Sequence, residues 1–398
     1  MNYAYIDTES SLRDFCRQAT GAEFLGFDTE FVSEHTFEPE LCLLQIAADG
    51  ELAIIDPQPI EDLTPFWELL ASPGHVTVVH AGREELLFST RATGQVPFQL
   101  FDLQLAAGFI GLEYPASYGT LIHRLLGQRL AKGETRTDWR KRPLTDSQLE
   151  YAIQDVLFLQ AMYDTLLSQL DSLGRSEWLR DEMILWQDRV VERSQHENWR
   201  RVSGSNGLSQ RCLAIVRELW RWRKQEAQRR NKPVKRVLRD DLIVELARRQ
   251  TDDTNRIKAI RGMDRGDLRR CLPEIAAAIA RALVLDDDEL PQRSHKSSQR
   301  QLATIGQFMH MALNGICRSE SISPGIVATV DDVRDFVASH CGLDRQNNDE
   351  PILKQGWREE IAGDRLRQLL QGHITVRVGD PLADDPLLFE AASDEKGE

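Results

Sequence analysis

The chain has 398 residues, too many for one ordinary core, so its length points to two or three domains. Its composition is 41% hydrophobic, yet no run approaches the roughly eighteen apolar residues of a membrane span, and residues 1–18 lack the apolar centre of a signal peptide. A net charge of −14 argues against nucleic-acid binding by phosphate neutralisation, unless the positive charge is segregated.

Six cysteines (Cys16, Cys42, Cys212, Cys271, Cys317 and Cys341) are scattered without a Cys-x-x-Cys pair. That pattern excludes a zinc ribbon or a disulfide framework and suits a reducing cytoplasm.

Residues 1–190 alternate between strand and helix signals. Strands are predicted at 24–28, 42–47, 52–55, 76–80 and 99–102, with Asp49-Gly50 marking a tight hairpin between the second and third. Helical periodicity occupies 10–18, 64–71, 84–93, 103–110, 118–126 and 145–170. Hairpin-linked strands followed by strand–helix repeats predict an α/β sandwich with a mixed sheet.

The first strand runs from an apolar stretch, Phe24-Leu25-Gly26-Phe27, into Asp28-Thr29-Glu30-Phe31. Positions i and i+2 of a strand share a face, so Asp28 and Glu30 project side by side. Two carboxylates that close repel one another unless a cation lies between them, and Mg²⁺ or Mn²⁺ takes such oxygen ligands. Alone, Asp-x-Glu is as well explained by a strand entering an acidic turn. Further on, His80-Ala81-Gly82-Arg83-Glu84-Glu85-Leu86 follows a strand and opens a helix. In the 145–170 helix, Tyr151 and Asp155 stand four apart on one face.

A polar joint, Ser203-Gly204-Ser205-Asn206-Gly207, separates this region from a wholly helical one. The order Trp220-Arg221-Trp222-Arg223, Asn231-Lys232-Pro233, Asp240-Asp241-Leu242 and Glu245-Leu246-Ala247 resembles the helicase-and-RNase-D C-terminal (HRDC) domain, placed at 208–288. Asp286 to Pro291 reads as a linker. A second helical unit at 296–376, with Gly356-Trp357-Arg358, resembles a more divergent HRDC domain. Residues 379–398 are acidic with little periodicity, the composition of a disordered tail.

Taken together, Asp28-Thr29-Glu30-Phe31-Val32, His80-Ala81-Gly82, Thr135-Arg136-Thr137-Asp138-Trp139, Pro143-Leu144-Thr145 and Tyr151-x-x-x-Asp155 resemble the tyrosine-bearing branch of the DEDD exonuclease superfamily, and within it the ribonuclease D family. The resemblance covers nearly the whole chain. It implies a ribonuclease H-like exonuclease domain followed by two all-α HRDC-like domains. It also implies a metal-dependent 3′→5′ exoribonuclease that releases 5′-monophosphates from the 3′ ends of precursor tRNAs and other structured RNAs. Asp28, Glu30 and Asp155 are then expected to hold one of two divalent ions, Mg²⁺ or Mn²⁺, with Asp28 bridging to the second. Tyr151 is expected to orient the attacking water, since a phenol of ordinary pKa near 10 suits orientation better than proton removal. The fourth acid is Glu85, where the family pattern has Asp. Asp102 and His80 are expected in structural roles at strand ends.

RNA needs positive charge, and the chain segregates it. Between Arg211 and Arg249 thirteen Lys and Arg face five acids, and a second cluster, Lys132, Arg136, Arg140, Lys141 and Arg142, precedes the Tyr151 helix. Lys132, Arg136, Arg140, Arg221, Arg223 and Lys235 are therefore candidate backbone contacts, as alternatives to a merely solvated face. Phe31 is a candidate for stacking on terminal bases, or for simple core packing. No membrane and no obligate protein partner is indicated, so a monomer is expected. Two rival readings stand beside the exoribonuclease. One is a 3′→5′ DNA exonuclease; the other is a catalytically weak RNA-binding homologue, with Glu85 as its mark.

Overall fold

The protein is described here by a computed structural model, covering residues 2–130, 137–292, 300–343 and 349–392. Its first region is built on one mixed sheet of six strands: β1 (Ala4–Ile6), β2 (Phe24–Val32), β3 (Glu40–Ala48), β4 (Glu51–Ile55), β5 (Val76–Val79) and β6 (Leu100–Asp102). Their spatial order is β1-β4-β3-β2-β5-β6. β2, β3 and β4 are antiparallel neighbours, while β1, β5 and β6 join in parallel. The mixed sheet expected from the sequence is present, with β1 as an added edge.

Local chemistry sets this order. Asp49 (φ 44°) and Gly50 (φ 91°) both adopt left-handed backbone, the twist that a two-residue hairpin demands. The Asp49 carboxylate also accepts from the N–H groups of Glu23 and Phe24, tying the turn to the start of β2. One face of the sheet packs on α1 (Glu9–Ala19), α2 (Thr64–Ala71) and α3 (Arg83–Thr93), with Leu25, Phe27 and Ile46 buried there. The other face receives α4 (Leu103–Phe109), α5 (Tyr118–Leu126), α6 (Asp146–Leu157) and α7 (Leu159–Ser172). The single helix expected over 145–170 is therefore two, interrupted at Phe158.

α8 (Ser176–Gln195) leads to a helical unit with its own core. It comprises α9 (Gln210–Arg229), α10 (Val234–Val237), α11 (Asp240–Arg249), α12 (Thr254–Lys258), α13 (Gly266–Arg269) and α14 (Leu272–Leu283). Its contact with the first region includes the Phe37 N–H, which donates to Asn231 Oδ1 at 3.0 Å, and the Phe37 ring, which rests on the helical core.

The remaining helices are α15 (Arg300–Ser319), α16 (Pro324–Val327), α17 (Val330–His340), α18 (Gly356–Arg358) and α19 (Asp364–Leu370), with a π turn at Glu359–Gly363. This unit shares one continuous apolar core with α4, α7 and α8. Trp357 packs on Phe109 at 4.8 Å between ring centroids. Arg358 donates to Glu182 of α8 at 2.6 Å, with both side chains buried. The stretch 379–398, expected to lack order, is corrected in part: β8 (Leu387–Ala391) pairs antiparallel with β7 (Ile374–Val378). Leu387 and Phe389 alternate inward against Gly315 of α15, and that burial outweighs the acidic composition around them.

Candidate active site

β2 carries the centre. It continues through Val32 rather than ending at Asp28, so the two acids lie within the strand. Leu25 and Phe27 point toward α1–α3, whereas Phe24 meets Leu159 and Met162 on the opposite side. Alternation therefore sends Asp28 and Glu30 toward α6 and α7, and Thr29 toward α3. Gly26 permits that closeness, since a Cβ there would lie 2.9 Å from Leu159 Cδ1.

α6 delivers Tyr151 and Asp155. Pro143-Leu144-Thr145 is its start signal: Thr145 caps the helix and Gln148 returns the bond, forming a full capping box. Gln148 Nε2 also donates to Thr137 Oγ1 at 2.9 Å, and Trp139 lies 6.1 Å from the Tyr151 ring. The described half of the Thr-Asp-Trp motif thus fixes the helix. Arg142 anchors the same loop to the end of β4: its guanidinium grips the buried Asp56 through Nε (2.5 Å) and Nη2 (2.7 Å) and also reaches the carbonyl of Cys42.

Tyr118 is a site residue that the sequence reading missed. Its Oη donates to the Gln154 carbonyl at 3.1 Å, while the Phe158 N–H turns to the Val156 carbonyl. The phenol thus takes the carbonyl that the Phe158 N–H would have met, and the helix breaks there. Tyr118, Tyr151, Asp28, Asp155 and His80 line a cavity of about 190 Å³, closed by Leu159 and by β2 at Phe27. A larger groove of about 810 Å³ between α1 and α2 gathers none of these residues.

His80 and Asp102 hold the scaffold, as expected. His80 Nε2 lies 3.0 Å from the Ala116 carbonyl, and burial lowers its pKa. Asp102 caps α4 and accepts from the N–H groups of Ala81 and Gly82. Ala81 is left-handed (φ 54°), a strained backbone for a residue with a side chain. Gly82 is required beside it, because a Cβ would fall 2.2 Å from Val79.

Electrostatics single out the four acids. Glu85 is buried on α3 and accepts from Thr29 Oγ1 at 2.5 Å. Burial first, then Glu85, Asp155 and Glu30, push the Asp28 carboxyl well above its ordinary range. Burial, then Asp155 and Glu85, raise Glu30 to about 8. Burial also raises Asp155 to about 7, and Glu85 to about 7 against the opposing Thr29 bond. Among the described residues no Lys or Arg pairs with any of them. Carboxylates that raise one another's pKa without cationic partners are the donor set of a hard divalent cation, so their chemistry fits a metal site, although no three of these four bring oxygens within 4.8 Å of one another in this arrangement. A separate grouping, Glu226, Cys271 and Glu274, is neutralised instead, because Arg229 and Arg230 both bind Glu226. Tyr151 is raised by burial and then by Asp155, Glu30 and Asp28, so it stays a neutral phenol at physiological pH.

The expected RNA contacts divide. Arg223 is corrected: it is buried, donating to Asp240 and to the Leu238 carbonyl, because its charge closes the core of the helical unit. Arg221 is matched by Glu197 and Glu218, and Arg140 by Asp138. Lys235 is 72% exposed, with Asp240 at 3.7 Å. Lys132 and Arg136 lie outside the described residues. Phe31 is half-buried against Phe88, 5.9 Å between ring centroids, which is the packing alternative. A register shift between Glu30 and Phe31 marks a bulge beside the acids.

A family model described as "3'-5' exonuclease" matches residues 3–171, and one described as "HRDC domain" matches residues 213–279. The chain is 35% identical over 390 residues to the ribonuclease D of Zymomonas mobilis, covering 94% of this chain and 95% of that one. It is 32% identical to the ribonuclease D of Gluconacetobacter diazotrophicus, covering 94% of each. It is also similar to the crystal structure of Escherichia coli RNase D, described as an exoribonuclease involved in structured RNA processing. That match has a TM-score of 0.82 at 29% identity and covers 93% of this chain and 99% of that one.

Proposed function

The chain belongs to the ribonuclease D family and is a 3′→5′ exoribonuclease with divalent metal dependence, and from that premise we propose that it trims the 3′ ends of structured RNAs, precursor tRNAs among them, releasing nucleoside 5′-monophosphates. The observation that carries this reading is the convergence of Asp28, Glu30, Glu85 and Asp155, without a Lys or Arg partner among the described residues, beside the phenol of Tyr151.

Asp28, Glu30, Glu85 and Asp155 would hold two divalent cations, Mg²⁺ or Mn²⁺, with Asp28 shared. When bound, such ions supply an activated water and a counter-charge for the leaving oxygen. Tyr151, neutral and rooted in α6, holds the attacking water by a hydrogen bond rather than taking its proton. Leu159 closes the cavity with apolar surface, which strengthens each polar interaction inside it. Thr29 keeps the longer Glu85 arm in place.

RNA is followed through its backbone by cations of the helical unit. Lys235 is one. Lys224, Lys232, Arg236 and Arg248 join it, because no carboxylate among the described residues claims them. Residues 296–376 read as a second, more divergent HRDC-like unit, supported by Gly356-Trp357-Arg358 and the leucines after it. All six cysteines are free, in keeping with a reducing cytoplasm. No helix among the described residues is long and apolar enough to cross a membrane.

The test is digestion of a 3′-extended tRNA with Mg²⁺ or Mn²⁺, comparing the parent with Asp28→Asn. Stepwise mononucleotide release by the parent and none by the variant is expected. Equal activity in both would end this reading, and faster loss of a matched DNA oligonucleotide would favour the DNA exonuclease.

A further inference from the structure

β3 reads Leu41-Cys42-Leu43-Leu44-Gln45-Ile46-Ala47, and one residue does not belong in so apolar a run. Gln45 is fully buried, at 0% exposure. Of the described residues it is the one side chain with two buried polar atoms, Nε2 and Oε1, that both lack a hydrogen-bond partner. Burying an amide unbonded costs about 1–3 kcal/mol, which a leucine or methionine at this place would avoid. Stability alone therefore does not account for Gln45.

Its register gives the reason. Gln45 stands directly opposite Asp28 in the antiparallel pairing of β2 and β3, with Ile54 on its other side. Directly opposed residues share a face, their Cβ atoms about 4.5–5.5 Å apart. Carboxamide and carboxylate therefore leave the sheet side by side beneath α6. The neighbouring pair on that face, Glu30 and Leu43, places the second acid one step further along. Leu43, Ile54 and Ile153 belong to the apolar cluster on this face of the sheet, and Asp28 is the polar group that the pairing brings to the amide.

We propose that Gln45 is a positioning residue for Asp28, its Nε2–H donating to the Asp28 carboxylate when that group turns to hold a divalent cation. The amide fixes one oxygen so that the other meets the ion at a set angle, the role that outer hydrogen bonds play around metal-binding carboxylates. The cost of the unbonded amide is carried by the metal-free protein and relieved on loading. This inference rests on the reading of Asp28 as a metal ligand.

The experiment compares the parent, Gln45→Met and Asp28→Asn by calorimetric titration with Mn²⁺ and by thermal melting in EDTA and in Mn²⁺. Methionine keeps the volume and removes both polar atoms. Gln45→Met is expected to melt in EDTA at or above the parent, to bind Mn²⁺ 10- to 100-fold more weakly, and to lose kcat in step. Gln45→Leu serves the same comparison if the methionine variant does not fold. Undiminished Mn²⁺ affinity in the variant overturns the proposal, leaving the amide to a structural role or a buried water. Absence of Mn²⁺ binding by the parent overturns the metal reading and this inference together.

Discussion

Thr29 donates its hydroxyl hydrogen to the Glu85 carboxylate across 2.5 Å, from the face of β2 opposite Asp28 and Glu30. The longer acid is thus gripped rather than loose, and its charge still reaches Asp28. Glu85→Ala is expected to lower the rate of RNA digestion at least 100-fold, and Glu85→Asp to retain it. Thr29→Val, which removes the grip alone, is expected to cost about 10-fold. Initial rates on a 3′-labelled RNA measure all three, and an unchanged Glu85→Ala rate would remove Glu85 from the site.

Metal-free stability carries the mark of the crowded acids. Their folded pKa values lie above the unfolded ones, with Glu30 near 8 against an ordinary 4.5 and Asp155 near 7 against 3.8. The folded protein therefore binds more protons than the unfolded chain, and stability is lost as pH rises through those values. His75 and His80, lowered by burial, act oppositely, adding stability as pH passes their unfolded value near 6.5 and little more above about pH 7.5. Between pH 6.5 and 8.5 in EDTA the melting temperature is expected to fall, and added Mn²⁺ to reverse the fall. A flat profile in the parent, matched by Glu30→Gln, would show that these groups do not repel.

Tyr151→Phe removes one oxygen from the cavity and leaves the ring on Trp139. A water-orienting role predicts a kcat loss of about 10- to 100-fold with KM and melting temperature close to the parent. A change confined to KM would instead make Tyr151 a substrate contact.

Arg142 belongs to the basic cluster before α6, but its charge is committed to Asp56, which it holds below the usual carboxylate range against the burial that would raise it. Arg142→Ala leaves the buried Asp56 carboxylate with the Tyr5 hydroxyl and the Gln58 N–H but no cation, and takes the Arg142 donor from the carbonyls of Cys42 and Trp139. It is expected to cost about 2–3 kcal/mol in urea unfolding. Arg140→Ala, at a solvent-screened pair with Asp138, is expected to cost far less. Equal costs would mean that the loop is not pinned through Asp56.

Much of this was legible from the residues. Period two placed Asp28 and Glu30 together, the Asp49-Gly50 turn set the register behind them, and the spacing of Tyr151 and Asp155 gave one helix face. What escaped depended on partners distant in sequence. The break at Phe158 leaves the apolar period of α6 and α7 undisturbed, because its cause is a phenol 36 residues before Gln154. Arg223 shows its charge in the sequence but not Asp240 folded against it. Gln45 is one polar residue in a buried strand, and only the pairing sets it against Asp28. The hairpin of β7 and β8 kept its alternation, hidden among acids that suggest no order.

The shared core of α4, α7, α8 and the last helices means that the polypeptide leaves the nuclease, builds the HRDC unit as an excursion, and comes back to finish what it began. A fragment cut after residue 190 would carry a greasy wound where Trp357 and Ile326 had sat on Phe109 and Gly108. Excising the excursion and splicing its ends is the gentler surgery, and it is the way to ask how much trimming the catalytic body performs unaided.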